Sequence, residues 1–234
     1  MEDMDQVPLT AVPILLQIIG SPDHAQRDET LAVLCDLVSS CYDSDGDALG
    51  AAVREADGLL TLSWLLAETD ANVVKQTLFL LANLASDAVD PRAYLTKRTL
   101  RQCGCEYRLL PCLDHEDDEV ISYACGALQN LCNDPEWSQV LLDQGVVSRL
   151  EVRACTATSV PTPALSGAVS GLGGGALTLP ARALASQELV DHPTDLVARY
   201  SAGALKNLMA TLAEAGFDPV SPIAFSLTLL SYLL

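Results

Sequence analysis

DHEDDEVISYACGALQNL, residues 114–131, lies over DHPTDLVARYSAGALKNL, residues 191–208, at a constant offset of 77. Ten of the eighteen positions are identical, among them Gly126/Gly203, Ala127/Ala204, Leu128/Leu205, Asn130/Asn207 and Leu131/Leu208, so the chain repeats a structural unit. A weaker copy sits 47 residues upstream, where Asp70, Val73, Leu81, Asn83 and Leu84 fall on Asp117, Val120, Leu128, Asn130 and Leu131. Another step of 47 reaches Asp23, Leu34 and Leu37, with Asp36 in the asparagine position. Gly58, Gly104 and Gly145 run in phase with this pattern. A period of about 41–47 residues without a strand signature points to stacked helical repeats.

Within a unit the order is a short helix, a glycine stop, a second helix, an Asp-rich turn and a longer third helix. PEWSQVLLDQG shows the first, with Trp137, Val140 and Leu141 at helical spacing before a glycine suited to a left-handed stop. The acids at 114–119 suit the cap and positive end of the third helix. Trp64 and Trp137 fall in a second and a first helix, where the expectation is burial between helices.

The stretches GALQNL (126–131), GALKNL (203–208), FLLANL (79–84) and the degenerate VLCDL (33–37) resemble the third helix of the armadillo repeat family. The resemblance covers about residues 7–154 and 186–212. HEAT-type repeats are the near alternative, but the asparagine and the glycine after the first helix favour armadillo. The resemblance implies an all-α, right-handed solenoid of about four armadillo-like repeats, with the last one interrupted. It also implies a concave groove in which Asn83, Asn130 and Asn207 pair with the backbone of an extended partner peptide, as an amide with both donor and acceptor can. Asp36 would accept but not donate there, favouring a basic partner. The alternative reading of each asparagine is a bond to a neighbouring helix end or loop within the solenoid. Two departures limit the transfer. Importin-alpha-type grooves carry tryptophan one turn before the asparagine, where this chain has Phe79, Gly126 and Gly203. Beta-catenin-type grooves are basic, and here only Lys75 and Arg199 stand two turns before an asparagine.

Charge agrees with a basic partner. The chain has 13 Lys and Arg against 31 Asp and Glu, a net charge of −18 that argues against nucleic-acid or membrane-surface binding. The acid excess is concentrated in residues 1–70. Half the residues are hydrophobic and few are aromatic, enough for a sizeable core of Leu, Ala and Val. The start, Met1-Glu2-Asp3-Met4-Asp5, lacks the basic and apolar order of a secretory signal, so a reducing compartment, cytoplasmic or nuclear, is expected. The eight cysteines are accordingly read as thiols, those at 35, 125 and 132 as small hydrophobes.

The domain reading is armadillo-like repeats over 1–154, a flexible Gly/Pro/Ser/Thr/Ala-rich insertion over 155–185, and a last repeat with an apolar C-terminal segment over 186–234. Gly145 to Asp191 spans 46 positions where Gly104 to Asp114 takes 10, and the excess includes TATSVPTPALSGAVSGLGGGALTLP. Its GLGGG lacks the strand and the Lys-Ser/Thr ending of a phosphate loop. A real loop and a retained non-coding segment read alike here. The ending PVSPIAFSLTLLSYLL is shorter than a membrane helix needs, which disfavours a tail anchor, and it reads first as a closing helix or part of a further repeat.

No chemistry has a visible carrier. DSDGD at 43–47 opens like a calcium loop, but Ala48 replaces the turn glycine and Arg54 the closing glutamate, so it reads as a solvated loop. Cys103, Cys105 and Cys112 lack paired zinc spacing, and His115 and His192 are repeat-equivalent turn residues. The expectation is therefore no enzyme, no metal and no cofactor. The function expected is a protein-interaction scaffold holding an extended, basic partner segment through Asp36, Asn83, Asn130 and Asn207. A regulatory co-chaperone or complex subunit embracing a folded partner domain is the second possibility.

Overall fold

The computed structural model describes residues 7–21, 24–156 and 193–216, and these are all-helical. In chain order the α-helices are α1 (Val12–Ile19), α2 (Arg27–Ser40), α3 (Asp43–Glu55), α4 (Gly58–Leu65), α5 (Ala71–Leu84) and α6 (Ala93–Gln102). They continue with α7 (Glu106–Leu109, extended as a tighter turn over Leu110–Asp114), α8 (Asp118–Leu131), α9 (Pro135–Asp143), α10 (Val146–Thr156) and α11 (Pro193–Glu214).

The sequence period maps onto this list directly. Helices α3–α4–α5, α6–α7–α8 and α9–α10–α11 are successive three-helix units, and α1–α2 supply the second and third helices of a preceding one. Each third helix packs on the next, α2 on α5, α5 on α8 and α8 on α11, making one continuous layer. Helix α8, held between α5 and α11, buries eleven of its fourteen residues. Its glycine and alanines leave room for that close approach. The leucines in phase with them, Leu34, Leu81, Leu128 and Leu205, form the spine of a single core.

The turns behave as their chemistry dictates. Asp70 and Asp117 cap α5 and α8, each accepting a backbone N–H two residues on at 2.8 Å. Gly104 and Gly145 take the left-handed conformation at φ 66° and 69°, as expected of helix stops. At the third marker the roles are shifted by one residue: Asp57 is left-handed (φ 53°), while Gly58 begins α4 pressed against Leu16, whose side chain would have to move aside for a Cβ. Four residues after Gly104 and Gly145, Arg108 and Arg149 reach back to the preceding second helix, to Ser63 Oγ at 3.3 Å and the Leu110 carbonyl at 3.1 Å.

Two expectations are corrected. DSDGD is not a solvated loop but the first turns of α3, with Gly46 buried and Asp43 and Asp45 at its positive end. Trp64 is 59% exposed rather than buried, and its ring lies 3.6 Å beneath the Arg108 guanidinium. Trp137 is fully buried as expected, donating from Nε1 to the Lys97 carbonyl at 2.6 Å. The stretch read as an insertion begins inside α10, which reaches Thr156; the rest of it, His192 and the apolar segment at 219–234 lie outside the described residues. No helix among the described residues is long and apolar enough to cross a membrane.

Candidate partner-binding groove

The three recurring asparagines sit in the third-helix layer but face into it. Asn83 and Asn130 are 1% exposed and Asn207 is 4% exposed. Asn130 donates from Nδ2 to the Ala82 carbonyl at 2.8 Å, and Asn207 makes the equivalent bond to the Gln129 carbonyl at 2.8 Å. Both acceptors lie among the last carbonyls of α5 and α8, which have no partner within their own helix. Each asparagine thus caps the C-terminus of the third helix before it. This is the bond within the solenoid that the sequence left open as the alternative to a peptide contact.

Asn83 breaks the pattern, donating to the Phe79 carbonyl of its own helix at 2.8 Å, with Oδ1 buried and unpaired. The cause is the length of α2. In register, α5 ends at Leu84, whereas α2 runs on to Ser40, the equivalent of Asp87. The Cys35 carbonyl, which Asn83 would cap, is therefore inside a continuing helix and already accepts the Ser39 hydroxyl at 2.8 Å.

Asp36, the fourth expected site residue, is exposed and lines a shallow cavity of about 370 Å³ running across three third helices. Cys35 and Ser39 join it from α2, Asn72, Lys75, Gln76 and Phe79 come from α5, and Glu119 and Tyr123 from α8. Tyr123 packs on Phe79 edge to face, with ring centroids 6.4 Å apart, forming an aromatic floor. The Gln76 amide lies beside it with Oε1 buried and unpaired. The structure brings Asp36 to this cavity but not the asparagines.

Charge in the cavity is paired across the joint between two units. Lys75 Nζ lies 2.6 Å from Glu119 Oε2 and 3.5 Å from Asp117 Oδ2. The hydrogen bond to Glu119 raises the lysine pKa against the opposing effect of burial. Burial pushes Asp117 up, but the backbone N–H of Glu119 and the Lys75 ammonium outweigh it and hold the carboxyl below its ordinary value. Burial, reinforced by the Glu119 charge, raises the Tyr123 hydroxyl. The Cys35 thiol is pushed up to about 12 by burial and by Asp36, which makes it a poor nucleophile.

Seven residues before Asn83 and Asn130, two helical turns away, stand Gln76 and Tyr123, whereas the same step from Asn207 reaches Tyr200, which is buried. That spacing was available in the sequence as a pointer to the cavity wall.

Residues 96–133, which span most of α6 through α8, match the Armadillo/beta-catenin-like repeat family. No curated protein matches the sequence significantly. Among solved structures, a designed armadillo repeat protein aligns with a TM-score of 0.58 at 21% identity, over 88% of this chain and 70% of that one. A designed armadillo repeat protein in complex with a (KR)4 peptide aligns at 0.56 and 21% identity, over 95% of this chain and 99% of that one. A third, described as computationally designed for modular peptide recognition, aligns at 0.54 and 21% identity, over 88% of both chains. The matched repeat, the three-helix units and the stacked third helices together give this chain an armadillo-repeat fold.

Proposed function

We propose that the chain is a non-catalytic scaffold that holds an extended, basic segment of a partner protein across the third-helix layer. The observation that carries this reading is the cavity spanning α2, α5 and α8. It combines an aromatic floor, side-chain amides and the exposed acid Asp36 on one continuous surface. Asn72 offers both donor and acceptor to the backbone of an extended segment, and Gln76, one helical turn on along α5, adds the N–H groups of its amide. Asp36 supplies the charge that selects a basic one, and the net charge of −18 steers it there. Asn130 and Asn207 serve by holding the layer in register, each through its bond to the third helix before it. The basic peptide bound by a designed relative supports this choice of ligand.

The test is fluorescence anisotropy with an eight-residue peptide of alternating lysine and arginine, compared with a glutamate-rich peptide of equal length. The native chain should prefer the basic peptide, and Gln76→Ala and Asp36→Asn should each weaken binding about three- to tenfold while helicity by circular dichroism stays unchanged. Equal affinity of native and variant chains would remove this cavity from the binding surface.

A further inference from the structure

The cation at the centre of the groove is the chain's own. Lys75 reaches from α5 to the first turn of α8, placing its ammonium between the carboxylates of Asp117 and Glu119. Lys75 and Glu119 both line the cavity together with Asp36, and among the described residues no second base lines it. A cationic side chain entering along this surface meets the Glu119 carboxylate, one of the two that hold Lys75. Glu119 is 55% exposed and Asp117 33%, so both acids are open to such a side chain from the solvent side. A partly exposed pair of this kind is weak enough to exchange partners.

We propose that Lys75 is the specificity-determining residue of the groove, holding the cation position beside Glu119 and yielding it to a lysine or arginine of the bound segment. The inference rests on the basic-segment reading above and adds to it a competition built into the chain. Lys75 lowers the affinity for every basic segment, and only one whose cation falls beside Glu119 recovers the lost pairing. An acidic segment gains little, because Lys75 is already neutralised by two carboxylates.

The experiment uses the full chain and the same two peptides, with Lys75→Met, Lys75→Gln and Lys75→Arg, and thermal melts to establish that each variant is folded. Both neutral variants should bind the lysine-arginine peptide about fivefold more tightly at low ionic strength, the scale of one partly exposed ion pair, with the gain shrinking as salt is added. Lys75→Arg should match the native chain. Equal affinity of the native and neutral-variant chains for the basic peptide would overturn this inference alone. Binding of the glutamate-rich peptide that disappears in Lys75→Met would also overturn it, by making Lys75 a direct anion contact. No binding of either peptide by any of the chains would overturn both this inference and the reading beneath it.

Discussion

A buried asparagine amide is costly unless its groups are paired, and the three in this chain are paired to different degrees. In Asn130→Ala the Ala82 carbonyl loses its donor in a dry environment at the end of α5, so a loss of about 1–3 kcal/mol is expected. In Asn83→Ala the lost bond is to a carbonyl of its own helix, and an already unpaired Oδ1 is removed with it, so the loss should be smaller. Urea unfolding of the two variants, compared with the native chain, measures the difference. An Asn83 effect equal to or larger than that of Asn130 would contradict the capping account. The recurrence of these residues was legible in the sequence because a constrained polar position survives duplication. Their partner was not, since a groove contact and a cap on the neighbouring helix demand the same residue at the same spacing. Trp64 was opaque for a similar reason. Its large apolar surface argues for burial, but the Arg108 guanidinium provides a cover that no sequence period announces.

Helix boundaries show where local preference yields to packing. Asp43-Ser44-Asp45-Gly46-Asp47 has the composition of a turn, and local propensity alone reads it as one. It becomes the start of α3 because Gly46 and Gly50, one turn apart, let the helix lie directly against the turn at Val89 and Asp90. Asp90 is fully buried there, accepting from Arg54 Nη1 at 2.6 Å, and the same nitrogen donates to Thr96 Oγ1 at 2.8 Å. This contact ties the first helix of one unit to the first helix of the next. Gly46→Ala separates the competing effects. Helix propensity alone would stabilise the variant by up to about 1 kcal/mol. The added Cβ would overlap the Val89 carbonyl, which is backbone and cannot rotate aside, so overpacking should win with a net loss of about 2 kcal/mol. Urea unfolding again gives the answer, and a stabilised Gly46→Ala would show that α3 does not pack this closely. The long third helices, by contrast, were legible from their leucine spacing and Asp caps, because there local preference and packing agree.

Across the whole molecule, cysteine fills joints where few aromatic residues are available. Cys35 lies on α2, Cys105 and Cys112 flank α7, and Cys125 and Cys132 lie on and just beyond α8. All five are free thiols whose ordinary value is 9.0, and burial, the largest influence on each, pushes them up to about 12, 12, 11, 11 and 12 in that order. Since the folded chain holds these protons more tightly than the unfolded one, their stabilising effect is complete below pH 9 and is lost as pH rises from there through 11 to 12. Each thiol then removes about 1.4 kcal/mol per pH unit, so five together can cancel a total stability of about 5–15 kcal/mol within one to three units. The Lys75 ammonium, also raised by its carboxylate partners, adds to the loss at the upper end. Because stacked units are stabilised mainly by their neighbours, opening one joint exposes the thiols of the next and sharpens the transition. Melting temperature followed by circular dichroism under reducing conditions should be nearly flat from pH 7.5 to 8.5 and fall steeply between 9 and 10.5. A chain carrying Cys125→Ala and Cys132→Ala, although less stable at neutral pH, should show a shallower fall, because two of these five thiols are gone. A native profile that stays flat to pH 10.5 would mean that these thiols ionise without opening the solenoid.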